Sequence, residues 1–304
     1  MSTHLSDPQS RLPPNLTPSQ SQALHTRALN LWTDPQNRAR LEGVTYLSEG
    51  THLVRLRNGA EVRVYASPYT PEFCDWGFSY EGGREDRFNR RGETFSDVES
   101  LVREEGEEGA NGGNGGIPSR RRRREDGESE EEEEEGEANA NNIDIVLTHG
   151  PPYKRLDPTA TVPAVGCPML LKAVMRARPK LCCFGHIHEG WGAERVRWSS
   201  SAGEVAGGGS RKVTVGEWTE GGIWEEGVEG VERVEVRDFE RVGRERGVYL
   251  DVSDAAGATG GSALREGEET VFVNAAVMDV GYRPVNAPWV VDLELRRAGG
   301  GEGV

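Results

Sequence analysis

Cysteine is scarce in this chain of 304 residues: only Cys74, Cys167, Cys182 and Cys183 occur, with no C-x-x-C pair among them. A disulfide framework and the common zinc-ribbon spacings are therefore not expected, and a reduced, intracellular setting is. Cys182 and Cys183 are adjacent, so in a strand they would point to opposite faces as core residues. Long apolar runs are missing as well. None approaches the ~20 residues needed to span a bilayer, so no membrane partner is expected. The first residues are rich in Ser, Pro, Gln and Asn and hold no apolar core of a signal peptide. Positive charge is in deficit: 36 Lys and Arg face 51 Asp and Glu, for a net charge of −15. General affinity for nucleic acid is not expected from that balance. Hydrophobic residues reach only 35%, while Gly counts 40 and charged residues 29%. The ordered part must be smaller than the chain.

Where order is expected can be read from pattern. Residues 1–16 read as a disordered lead-in and 296–304 as a disordered tail, leaving 17–295 as an interrupted domain. Three stretches break it, at about 81–141, 199–230 and 257–269. The first holds Arg120–Arg124 and Glu130–Glu135. Such segments bury too little apolar area to offset an ordering entropy of ~1–2 kcal/mol per residue. The five arginines read as a nuclear-localisation or nucleic-acid patch, whereas the bland reading is a solvated charge block beside the glutamates. Cytoplasm is the first expectation for location. The acidic run gives an alternative of another class: a non-catalytic interaction protein that binds a basic partner.

Thr17-Pro18 reads as a helix cap followed by proline at the first helical position. Leu24, Ala28 and Leu31 then space an amphipathic helix to about Trp32. Strands are expected at Val44–Leu47, Thr51–Arg57 and Val62–Ala66, the last two joined by an Asn58-Gly59 turn. The aromatic segment from Tyr65 to Phe78 carries prolines and reads as a packed loop. Ile143–His149 and Leu181–Phe184 read as buried strands flanking a helix at 168–178, whose apolar face is Leu170, Leu171, Val174 and Met175. That order is a βαβ unit and predicts a parallel pair. Further strands are expected at 191–198, 231–237, 270–275 and 288–295, without helices between them, so the fold class is α/β with a mixed sheet.

Three of the six histidines fall at strand ends: His149, His186 and His188. Ligand sites in open α/β sheets gather beyond the carboxyl ends of strands. In extended geometry His186 and His188 project to one side. Gly150 and Gly185 are expected to let the backbone turn there. Neutral imidazole is a good ligand for Zn, Fe, Mn or Ni. A single histidine at a strand end is more often structural, and an H-x-H pair alone is a weak signal. The third histidine, one βαβ strand earlier, is what gives the set weight. Asp157, close to His149 in sequence, reads as a turn residue before Pro158.

Thr148-His149-Gly150-Pro151-Pro152 and Phe184-Gly185-His186-Ile187-His188-Glu189-Gly190 resemble the last two signature motifs of the calcineurin-like metallophosphoesterases. The aromatic loop from Tyr65 to Phe78, Gly166-Cys167 before the helix, Phe272–Ala276 and Tyr282–Asn286 are similar to features of the metallophosphoesterase-domain-containing subgroup. The resemblance implies a four-layer α/β/β/α sandwich with a two-metal site for divalent ions such as Mn, Fe or Zn. It assigns His149 and His186 to the second metal and His188 to the first. The implied chemistry is hydrolysis of a phosphoester small molecule, such as a phosphodiester or nucleotide, by a metal-bridging hydroxide.

The resemblance also has gaps. The family's D-x-H, G-D and G-N-H-[DE] motifs do not occur in this chain, so the bridging aspartate and the general-acid histidine have no counterpart and no catalytic acid can be named. The pattern predicts an incomplete sandwich whose chain begins just after the last of those motifs. It predicts weak binding of a single metal and negligible catalysis by this chain alone, as a truncated phosphoesterase or a pseudoenzyme.

Overall fold

The computed structural model describes residues 16–72, 77–80, 88, 95, 98–103, 143–199, 227–234, 236, 247–259 and 261–296. Arg120–Arg124, Glu130–Glu135, Cys74 and Trp76 lie outside them, as do the lead-in to residue 15, the tail from 297 and most of the two long insertions.

Helix α1, Pro18–Thr33, starts on a reciprocal cap. The Thr17 hydroxyl accepts from Gln20 N, and Gln20 Oε1 accepts from Thr17 N at 2.8 Å. Of its expected apolar stripe only Ala28 is buried, while Leu31 and Trp32 stay exposed. The short α2, Arg38–Leu41, was not foreseen. Its exit explains why Val44–Leu47 is not a strand. Gly43 takes φ +83, and Val44 N–H donates back to Ala39 O at 2.8 Å, so this backbone completes a helix end instead of a ladder.

Strands β1, Gly50–Arg55, and β2, Glu61–Ser67, pair antiparallel. They meet at the expected turn, where Gly59 has φ +81 and Asn58 Oδ1 accepts from Ala60 N. Two short strands follow, β3 at Thr70–Pro71 and β4 at Ser79–Tyr80. Strand β5, Val98–Arg103, pairs parallel with β1 inside the stretch expected to be unstructured. Then come β6, Ile145–Thr148, helix α3, Pro168–Ala177, and β7, Leu181–Phe184, with β6 and β7 parallel neighbours. Strands β8, Gly192–Trp198, β9, Val228–Arg233, and β11, Glu269–Asn274, complete an eight-stranded sheet in the order β5-β1-β2-β6-β7-β11-β8-β9. Strand β9 lies a few residues earlier than its expected span, because the β8 ladder sets Val231 opposite Val196 and Val228 opposite Trp198. Strands β10, Val248–Asp251, and β12, Trp289–Asp292, form a separate parallel pair, and β10 was not foreseen. The 257–269 break is ordered in part: Leu264 N–H donates to Val252 O and its side chain joins a core cluster.

The large sheet is buried on both faces at its centre, and the alternation of β7 and β11 accounts for this. Cys182 and Phe272 face one way, into a core with α3 residues Leu170, Leu171, Ala173, Val174 and Met175. Val271 and Val273 face the other way, into a second core, with Cys183 packed against it. Leu250, Trp289, Val291 and Leu293 of the β10–β12 segment cover that second face. The architecture among the described residues is thus α/β: one large mixed sheet, a helix on one face and a two-stranded ribbon on the other. A second large sheet, which a four-layer sandwich needs, is not among them. No helix among the described residues is long and apolar enough to cross a membrane.

Candidate functional site

The parallel strands β2, β6, β7 and β11 end together, and the loops that leave them are stitched by backbone hydrogen bonds. His149 N–H donates to Ser67 O at 3.2 Å, Gly185 N–H to His149 O at 3.0 Å, and Ala275 N–H to Phe184 O at 2.7 Å. This sheet edge carries His149 and His186, whose ring centroids lie 4.8 Å apart.

The turn at His186 differs from expectation. The positive φ falls on His186 itself, at +67, and Ile187 N–H donates to Gly185 O at 2.7 Å. This is the rare, strained form of the γ-turn. The segment is therefore not extended, and the period-two argument for His186 and His188 does not apply. Gly150 serves close approach rather than turning, since a Cβ there would lie 2.9 Å from Thr70 Cγ2. The left-handed region costs a non-glycine residue about 1–2 kcal/mol. We expect His186→Gly to be more stable than His186→Ala by about 1 kcal/mol, because glycine relieves that strain. Paired urea denaturation curves check this; equal midpoints would mean that the turn stores no strain.

His188 begins a short 3-10 turn, His188–Gly190. Its Nδ1 lies 2.9 Å from Asp279 O, and its ring meets Tyr282 edge-on at 5.5 Å. A carbonyl can only accept, so Nδ1 carries a proton and Nε2 is the ring nitrogen left to face a ligand. Asp279 is held in turn by Arg283 Nε at 2.8 Å.

Burial, then the neighbouring His149 and His188, pushes His186 down to about 4. Burial and then His188 also lower His149. Both rings are neutral near pH 7, the form that binds metals. A cavity of about 390 Å³ opens at His186 and His188, lined also by Tyr69, Val165, Cys167, Leu170 and Tyr282, while His149 does not line it. Glu72 and Glu189 also line it.

The donor set, however, does not fit a two-metal centre. Two close cations need anionic bridging ligands, and here the clustered donors are neutral imidazoles. Among the described residues no group of three or more His, Cys, Asp or Glu side chains is placed to hold a metal ion. Two of the aspartates near the loops have other tasks. Asp279 holds Arg283, and Asp157 Oδ2 accepts from Lys154 N at 2.9 Å and Gly166 N at 2.8 Å. Asp157 is therefore not a turn residue before Pro158 but a deeply buried anchor, at 1% exposure, that ties Lys154 to Gly166.

Comparison with known proteins points the same way as the motifs. The chain is 30% identical over 132 residues, 43% of its length, to proteins named Metallophosphoesterase domain-containing protein 1 from Homo sapiens and Mus musculus. It spans about a quarter (26%) of the length of each of these relatives. A 57-residue stretch, 18% of the chain, is 46% identical to 5% of a Probable rhamnogalacturonate lyase C from Emericella nidulans. No family model matches the chain. The two mammalian relatives support a metallophosphoesterase-like family.

Sequence reasoning gave several residues of the site no role, although Asn274 falls within the Phe272–Ala276 motif. Asn274, at the end of β11, is fully buried. Its Nδ2 donates to Leu156 O at 3.0 Å and Ile187 O at 2.8 Å, and its Oδ1 accepts from Ala276 N at 3.1 Å. Arg155 and Glu194 form a buried ion pair at 3.3 Å behind the same loop. The available signal for Asn274 was the one used for His149, a polar residue closing an apolar run. Nothing in the local pattern marks Arg155 or Glu194, because their partnership spans 39 positions of sequence.

Proposed function

We propose that this chain carries the histidine part of a metal-dependent phosphoesterase site, built in the family manner from His149, His186 and His188. The observation that carries this reading is the 4.8 Å approach of His149 and His186 at adjacent strand ends, beside a cavity large enough for a small phosphoester. The relatives' name supports it. On this reading the large sheet is one of the two inner layers of a four-layer sandwich. Phosphodiesters and nucleotides are the substrate class. Cytoplasmic location is part of the same proposal.

Because the donor set lacks a bridging carboxylate, the chain alone binds one divalent ion weakly and hydrolyses phosphoesters negligibly. Calorimetric titration with Mn²⁺ tests this on the full chain. We expect a single weak site that disappears in His149→Ala/His186→Ala. Two tight sites would overturn the incomplete-centre reading. Absence of any site, together with salt-sensitive binding to a basic protein that persists in the triple variant with His188→Ala, would transfer the chain to the acidic interaction class.

A further inference from the structure

We propose that Asn274 is the positioning residue of the histidine cluster: a buried side-chain amide that fixes the two histidine-bearing loops against each other. The loop after β6 starts at His149 and includes Leu156, and the loop after β7 holds His186 to Gly190. Asn274 belongs to neither. It stands at the end of β11, next to β7 in the sheet, and reaches both.

Its hydrogen-bond set fixes its orientation. Leu156 O and Ile187 O can only accept, so both must face Nδ2, and the Ala276 N–H must face Oδ1. The opposite orientation would set oxygen against two carbonyls. The residue is fully buried, so no water replaces a lost partner. Ile187 lies between His186 and His188, so the bond to its carbonyl acts at the middle of the H-x-H segment. Gly190 belongs to the same contact: a Cβ there would lie 2.7 Å from Asn274 Nδ2 and 1.9 Å from Leu156 O. The positive φ of His186 makes this outside hold necessary, because a strained turn opens unless its surroundings over-determine it.

Asn274→Asp is the informative change, since it keeps the shape and turns two attractions into repulsions. Asn274→Ala removes the bonds without adding charge. The full, metal-free chain is examined by NMR for the contact between the ring protons of His149 and His186. Wild type shows it. We expect both variants to lose it while remaining folded by near-ultraviolet circular dichroism, with the His25 and His52 ring signals unmoved. A folded variant that keeps the ring contact overturns the proposal. If neither variant folds, the wild type decides. Scalar coupling from the Asn274 amide to the carbonyl carbons of Leu156 and Ile187 supports the proposal, and its absence sinks it.

A second readout uses Co²⁺ alone, and it rests on the proposed function. Supports of ligating groups are worth about 10- to 100-fold in metal affinity, so the Co²⁺ dissociation constant should rise by that factor in Asn274→Asp. If wild type binds no Co²⁺, the proposed function fails, while the ring contact still tests the positioning role.

Discussion

Gly190→Ala should prevent the His186–Gly190 turn from closing, at a cost of about 3 kcal/mol or more. A Cβ on Gly190 would meet Leu156 O at 1.9 Å, Leu156 C at 2.8 Å and Asn274 Nδ2 at 2.7 Å. The first two are backbone atoms of the neighbouring loop and cannot swing aside as a side-chain tip can. Either that loop retreats or the turn does. In both cases Asn274 loses one of its two carbonyl partners inside a dry core, which adds about 1–3 kcal/mol for an unpaired buried group. Gly185→Ala, five residues earlier, is the matched control. Its Cβ would meet Ala276 at 3.8 Å, an ordinary contact, and its backbone is not in the left-handed region. We expect its urea midpoint to stay near wild type, while that of Gly190→Ala falls steeply. Equal midpoints would show that the two histidine loops are not in close contact at Leu156.

This pair of glycines also shows what the sequence could and could not disclose. Short continuous apolar runs made β7 and β11 visible, because central strands of the sheet are covered on both faces. The helix α3 was visible for the same reason: its apolar face and its entry at Cys167-Pro168 are local signals. Turn roles were less accessible. A glycine beside a histidine looks like a hinge, yet the left-handed residue is His186, and Gly150 and Gly190 answer to atoms of Thr70 and Leu156, 80 and 34 positions away. Strand β10 was missed because its ladder partner among the described residues is β12, some 40 positions later. The histidines could be listed from motifs, but the sequence could not show that Nδ1 of His188 is taken by Asp279 O. Nor could it show that an asparagine from a third strand spans the two loops. Local pattern reveals which residues lie inside; the partners of buried polar groups are set by sheet order, which a single sequence does not state.

Arg155 and Glu194 give the other large effect, and the sign depends on whether one or both are changed. They meet at 3.3 Å with side-chain exposures of 10% and 3%, under the loop that follows His149. The guanidinium also lies 6.0 Å over the Phe272 ring. Arg155 Nε and Nη1 and Glu194 Oε1 make no hydrogen bond, so the pair is poorly satisfied for its depth. The titration directions agree. Burial lowers Arg155 despite Glu194 and Asp157, and burial raises Glu194 despite Arg155. Desolvation outweighs attraction for both partners. Arg155→Met alone then leaves the buried Glu194 carboxylate without its ion-pair partner, with only the exposed Arg233 still attracting it, and should cost about 3–5 kcal/mol. Glu194→Leu alone leaves Arg155 with Asp157 still near, and should cost less. Arg155→Met/Glu194→Leu together should recover most of the loss and approach wild-type stability, as apolar replacements of buried pairs commonly do. A double variant equal to the sum of the singles would show that the charges act independently. The pH dependence has a fixed sign. Glu194 and Asp157 are both raised by burial, so they hold protons more tightly folded than unfolded. Their contribution to stability is complete below the ordinary carboxylate range and is lost as pH rises through the raised folded values. The double variant keeps only the Asp157 share, so its stability should decline less across that window than that of wild type.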